Sequence, residues 1–144
     1  MKIVVTSGYF DPIHVGHIEY LKRAKEVGDF HICIVNNDEQ AKLKKGRAFM
    51  PAEDRKEIIE ALKYVDDAVI AVDEDESVKK TLEHIVCAHP WDTIIFAKGG
   101  DRVVANTPEA DMCHAKGIYI LEGLGGKVRS SSDFVKKAKE EPNE

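Results

Sequence analysis

His14 and His17 flank Gly16 within the run Gly8-Tyr9-Phe10-Asp11-Pro12-Ile13-His14-Val15-Gly16-His17. Imidazoles three apart at a helix start point to one side, so both can donate hydrogen bonds to one polyanion. Gly16, lacking a Cβ, lets a ligand approach the free backbone N–H groups of the first turn. Those groups, with the helix dipole, favour negative charge. The chemistry this set suits is the holding of phosphate. It needs a strand to deliver the turn and a helix to start there. Lys2–Ser7 is a short β-branched run of the kind that forms a buried strand, and Val15, Ile18, Leu21 and Ala24 recur at helical spacing. Gly8 permits a tight exit from that strand.

The same alternation continues along the chain. Strands are expected at about Lys2–Ser7, Phe30–Asn36, Ala68–Val72, Thr93–Ala97 and Ile118–Leu121. Helices are expected at Val15–Val27, Pro51–Leu62, Val78–Val86, Pro108–Ala115 and Ser131–Lys139, with Pro51 and Pro108 at first helical positions and Ser77 and Thr107 as caps. Alternation of this kind implies βαβ crossovers and a parallel sheet covered on both faces. Ligands of such sheets sit beyond the carboxyl ends of the strands, where strand order reverses. Three further exits are polar: Asn36-Asn37-Asp38, Lys98-Gly99-Gly100-Asp101-Arg102, and Gly123-Leu124-Gly125-Gly126-Lys127-Val128-Arg129-Ser130-Ser131-Ser132. Alone, Gly99-Gly100 reads equally as an ordinary turn and Gly125-Gly126 as a flexible loop.

Length and composition bound the class. The 144 residues, 43% of them hydrophobic, suit one domain with its own core, and a formal net charge of −5 argues against a nucleic-acid-binding face. No apolar stretch approaches the roughly 20 residues of a membrane span, so a cytoplasmic protein is expected. Cys33, Cys87 and Cys113, odd in number and widely spaced, read as reduced thiols rather than a disulfide framework.

Gly-x-Phe-Asp-x-x-His-x-Gly-His resembles the signature of the nucleotidylyltransferase superfamily. Val35-Asn36-Asn37-Asp38, Leu43-Lys44, Gly46-Arg47, Glu53-Asp54-Arg55, Ala61–Asp66 and Lys98-Gly99-Gly100-Asp101 are similar to the adenylyltransferase domain of ADP-heptose synthesis, with glycerol-3-phosphate cytidylyltransferases close behind. Lys127 and Arg129 before a serine run occupy the place of that superfamily's second signature. The resemblance implies an α/β, Rossmann-like, doubly wound, parallel five-stranded sheet in one domain over residues 1–138, with a polar tail at 139–144. It implies attack by an acceptor phosphate on the α-phosphorus of a nucleoside triphosphate, with release of pyrophosphate. His14, His17, Lys44 and Arg129 would be catalytic. Gly8, Tyr9, Phe10, Asp11, Gly16, Lys98, Gly99, Asp101, Lys127, Ser130, Ser131 and Ser132 would contact the nucleotide. Asp11 would orient the site or hold Mg²⁺, the expected cofactor. Arg55 stands equally as a phosphate contact or as a partner of Glu57 or Asp54.

The expected partners are the triphosphate, a phosphorylated small molecule and a second copy of the chain in a homodimer, without nucleic acid or membrane. The resemblance leans to ATP and a heptose-like sugar or polyol phosphate, with glycerol 3-phosphate and cytidylyl transfer as the alternative. A non-catalytic nucleotide sensor would keep the phosphate loops but not the catalytic charges. A zinc site drawing on Cys87, His89, Cys113 and His114 lacks a recognised ligand spacing.

Overall fold

A computed structural model of the chain describes residues 1–99 and 108–124. Five strands, β1 (Lys2–Gly8), β2 (Phe30–Val35), β3 (Asp67–Ile70), β4 (Thr93–Gly99) and β5 (Tyr119–Leu124), alternate with helices α1 (Val15–Val27), α2 (Asp38–Lys45), α3 (Ala52–Glu60), α4 (Lys79–Ala88) and α5 (Ala110–Lys116). The strands form one sheet in the order β3-β2-β1-β4-β5, every neighbouring pair parallel. This is the expected doubly wound architecture. Because chain order reverses on either side of β1, the switch point lies between β1 and β4.

Side chains on a strand alternate between faces, and the two faces here bury different sets. Ile3, Val5, Ile32, Ile34, Ile94 and Phe96 pack with Leu82 and Ile85 of α4 and Cys113 of α5. Cys33 and Val35 pack with Tyr20 and Leu21 of α1 and Ile59 of α3, and Val4 and Ala97 with Ala24 of α1. Strands buried on both sides read as near-continuous apolar runs, which is why β1, β2 and β4 are legible from sequence.

Helix starts differ from expectation. Pro51 sits one residue before α3 rather than at its first position, and Val78 rather than Ser77 precedes α4. There the work of a cap falls to Asp73, which accepts from the N–H groups of Lys80 at 2.8 Å and Thr81 at 3.2 Å. Helix α2 begins within the polar strand exit Asn36-Asn37-Asp38, where no helix is expected from the sequence. Asn37 and Gln40 cap it reciprocally: Asn37 Oδ1 accepts from Gln40 N–H at 2.8 Å and Gln40 Oε1 from Asn37 N–H at 2.9 Å. Asp38 and Glu39 in its first turn and Lys42, Lys44 and Lys45 in its last complement the dipole. Gly46 ends it at φ +86°, where a side chain would be strained. Thr107 and the expected helix over Ser131–Lys139 lie outside the described residues.

Candidate active site

The turn after β1 is built on a close approach. A Cβ on Gly8 would stand 2.9 Å from Cζ of Phe10, so glycine is required for the Phe10 ring to fold back on the strand. Phe10 itself holds φ +52°, a left-handed conformation costly to a bulky residue and sustained only by surrounding contacts. Its ring is 2% exposed and meets His17 edge-on, with centroids 5.1 Å apart.

Beyond the turn, the two histidines cap α1 for each other. His14 Nδ1 accepts from the Gly16 N–H at 3.0 Å, and His17 Nδ1 accepts from the His14 N–H at 3.1 Å. Their rings stack with centroids 3.8 Å apart, 22° from parallel. A neutral imidazole that accepts at Nδ1 carries its proton at Nε2. Both rings are therefore fixed as Nε2–H donors, and burial, with the neighbouring His14 and Lys45, pulls the pKa of His17 down to about 4. His17 thus remains polar but uncharged near neutrality. This revises the role of Gly16, whose N–H is already taken by His14. At this end of the helix the imidazoles, rather than that amide, are left at the turn.

Asp11 is fully buried. Its carboxylate accepts from Phe49 N–H at 2.7 Å and Met50 N–H at 2.9 Å, and pairs with Lys45 Nζ at 3.1 Å; the same Nζ donates to the Asp11 carbonyl at 2.6 Å. Lys45 thus takes a position that sequence reasoning did not assign. Lys44, at the end of α2, is exposed and holds its Nζ 4.7 Å from the Tyr9 ring centroid. Arg55, also fully engaged, satisfies neither sequence reading: it binds the carbonyls of Met50 (2.9 Å), Tyr9 (2.7 Å) and Asn36 (2.8 Å) and the Asp38 carboxylate (2.9 Å).

At the exit of β4, Lys98 is buried, with Nζ 4.8 Å from the Phe96 ring centroid. Gly99 ends the strand, backed so closely by Tyr20 that a Cβ would come within 2.8 Å of Cδ1. The Tyr20 hydroxyl donates to the Ala97 carbonyl at 2.5 Å and accepts from Ser7 N–H at 3.4 Å, tying the β1 and β4 exits together at the switch point. The residues brought together are thus Tyr9, Phe10, Asp11, His14, His17 and Lys44. Asp101, Lys127, Arg129, Ser130, Ser131 and Ser132 lie outside the described residues. Cys33 and Cys113 are buried and Cys87 is exposed, and among the described residues no three His, Cys, Asp or Glu side chains gather as a metal site.

A parallel sheet that reverses order between β1 and β4, with a stacked imidazole pair at the β1 exit, defines an α/β protein of the doubly wound class. The chain belongs to the cytidylyltransferase-like family, which it matches over residues 5–143. It is 47% identical to an FAD synthase of Pyrococcus abyssi over 91 residues, 60% of this chain and 62% of that protein, and 56% identical to an FAD synthase of Pyrococcus horikoshii over 68 residues, 46% of each. These matches span less than two thirds of those relatives' length. A glycerol-3-phosphate cytidylyltransferase of Staphylococcus aureus is 35% identical over 96 residues, 64% of this chain and 73% of that one. The crystal structure of a lipopolysaccharide core biosynthesis protein from Thermoplasma volcanium superposes with a TM-score of 0.66 at 25% identity, covering 85% of this chain and 95% of that one. No helix among the described residues is long and apolar enough to cross a membrane.

Proposed function

We propose that the chain transfers a nucleoside monophosphate from a nucleoside triphosphate to a phosphate monoester, and that ATP and FMN are its substrates. FAD is FMN and AMP joined through a pyrophosphate bond, so this pair is what the similarity to FAD synthases supports. An oxygen of the acceptor phosphate attacks the α-phosphorus in line, the bond from that phosphorus to the α–β bridging oxygen breaks, and pyrophosphate leaves. The acceptor oxygen is already ionised near neutrality, so alignment and neutralisation of leaving-group charge are the tasks left to the protein.

The observation that carries this reading is the reciprocal cap. With both Nδ1 atoms held by backbone N–H groups, His14 and His17 are preorganised as two Nε2–H donors for the triphosphate, and no reorganisation is needed as charge develops. Lys44 adds charge at the same mouth, and Asp11 fixes the turn through Phe49, Met50 and Lys45. That engagement does not fit Asp11 as an Mg²⁺ ligand, so the expectation of Mg²⁺ rests on the triphosphate's own oxygens. CTP with glycerol 3-phosphate is the second reading, favoured by the staphylococcal relative over 73% of its length. The heptose-like acceptor and the homodimer rest on the sequence resemblance, and sedimentation of purified protein measures the latter.

The test is a matrix of triphosphates against FMN, heptose phosphate and glycerol 3-phosphate, with riboflavin and glycerol as dephosphorylated controls, read by pyrophosphate release. Turnover is expected with phosphorylated acceptors only, and highest with ATP and FMN. Robust transfer to an unphosphorylated acceptor overturns the mechanism. In the same assay His17→Ala should lose about 10²–10³-fold in rate. Because Ala also removes the partner of the His14 N–H, His17→Gln is the companion variant: Gln at this position preserves a capping box, so it should keep stability and still lose rate. Near-normal turnover in both variants would remove the central claim.

A further inference from the structure

We propose that Phe49 and Tyr9, with Lys44 over the Tyr9 ring, form an acceptor subsite for a planar aromatic phosphate ester. The inference rests on the nucleotidylyl-transfer reading above and deepens it. Phe49 lies in the short connection from α2 to α3, and its N–H and that of Met50 are held by the buried Asp11 carboxylate. The backbone is therefore bolted to the histidine turn. Yet the Phe49 ring is 53% exposed, whereas Phe10 and Phe96 are buried in the core. An aromatic side chain carried on an anchored backbone beside the histidine turn, and not spent on core packing, is suited to stacking.

The charges around it match an aromatic ester of phosphate. Lys45 Nζ stands 5.3 Å from the Phe49 centroid and 6.0 Å from the Tyr9 centroid, so one ammonium neighbours both rings while it anchors Asp11. Lys44 lies over Tyr9, next in sequence to Phe10 and hence to the ring that meets His17. In this subsite Lys44 takes the phosphate at the turn that carries Tyr9 and Phe10, and the aromatic body lies on the exposed Phe49 ring. A polyol acceptor would instead need neutral hydrogen-bonding side chains to read its hydroxyls. Among the described residues the amides at this end of the sheet are otherwise employed: Asn37 Nδ2 donates to the carbonyls of Ala71 and Asp73, Gln40 Nε2 to those of Asp75 and Ser77, and Asn36 Nδ2 to Gln40 Oε1. They hold the connection after β3 in place.

Steady-state kinetics with ATP and FMN, together with FMN fluorescence titration of the full chain, test the subsite. Phe49→Ala should raise KM for FMN about tenfold and leave KM for ATP within about twofold. Phe49→Trp should restore the FMN value, and the titration should follow the same order. An unchanged KM for FMN in Phe49→Ala overturns the subsite while leaving adenylyl transfer to FMN standing. Turnover with glycerol 3-phosphate or heptose phosphate but none with FMN removes the FMN reading, and an unchanged KM for that aliphatic acceptor in Phe49→Ala then removes the subsite as well. Matching thermal unfolding curves establish that each variant is folded.

Discussion

Arg55 is a charged side chain that is only 1% exposed, and its guanidinium joins three separate segments. It donates to the carbonyl of Tyr9 after β1, that of Asn36 after β2 and that of Met50 before α3, and its ion pair with Asp38 completes the set. Asp38 Oδ1 also accepts from Ala52 N–H at 2.9 Å, so the same carboxylate caps α3. The sequence offers only near neighbours such as Asp54 and Glu57 as partners. Carbonyls up to 46 residues away are invisible to spacing, because a backbone oxygen has no residue type. Arg55→Met leaves those acceptors buried without a donor and should destabilise the fold by about 3–5 kcal/mol. Arg55→Lys keeps the charge but lacks the planar fork, so it should recover only part of that loss. Urea midpoints of the two variants measure both; equal stability of Arg55→Met and the parent chain would mean that the staple contributes nothing. His14 and His17 are the opposite case. Their type, spacing and glycine made them legible, while their mutual capping, which fixes the tautomers, depends on ring orientations that spacing does not encode.

At the scale of elements, β1, β2 and β4 were readable as buried apolar runs, and α1 and α4 because each buries apolar residues at helical spacing. Helix α2 was not, because its short polar run Asp38–Lys45 buries only Gln40 and Ala41. What forms it is the reciprocal Asn37–Gln40 cap, a signal present in the sequence as Asn-x-x-Gln but masked by the polar strand-exit pattern. The β4 exit shows a second limit. Gly99 reads from sequence as a nucleotide contact or an ordinary turn residue, whereas its missing Cβ makes room for the Tyr20 ring that locks β1 to β4. Gly99→Ala forces that ring to shift, and overpacking of this kind should cost about 1–3 kcal/mol. Tyr20→Phe removes the hydroxyl from the Ala97 carbonyl without adding bulk. If the packing account holds, Gly99→Ala in a Tyr20→Ala background should cost much less than in the parent chain, as a double-mutant cycle by chemical denaturation would read.

For the whole molecule, the alternation of elements foretold a doubly wound sheet, and the order β3-β2-β1-β4-β5 sets the histidine turn at its switch point. The same architecture buries two imidazoles in ways that govern acid stability. His31 is fully buried, its Nδ1–H donating to the Tyr64 carbonyl at 2.7 Å and its Nε2 accepting from the Thr6 hydroxyl at 2.8 Å. Burial lowers its pKa against the opposing pull of the Tyr64 carbonyl and Asp66. His17 is lowered to about 4, chiefly by burial. An unfolded chain titrates both near 6.5, so between about pH 6.5 and 4 it binds protons that the folded chain does not. Stability therefore rises with pH across that window, is complete above it, and is lost as the pH falls through it. Urea unfolding at a series of pH values should show the midpoint falling from pH 7 to pH 5, and the fall should be shallower in His17→Gln, which removes one of the two groups. Triphosphate bound at the paired Nε2–H donors places negative charge beside His17 and raises its pKa, so the stabilisation that saturating nucleotide gives should grow as the pH drops from 7 to 5. A ligand-induced shift in midpoint that is the same at both pH values would mean that phosphate does not sit at His17.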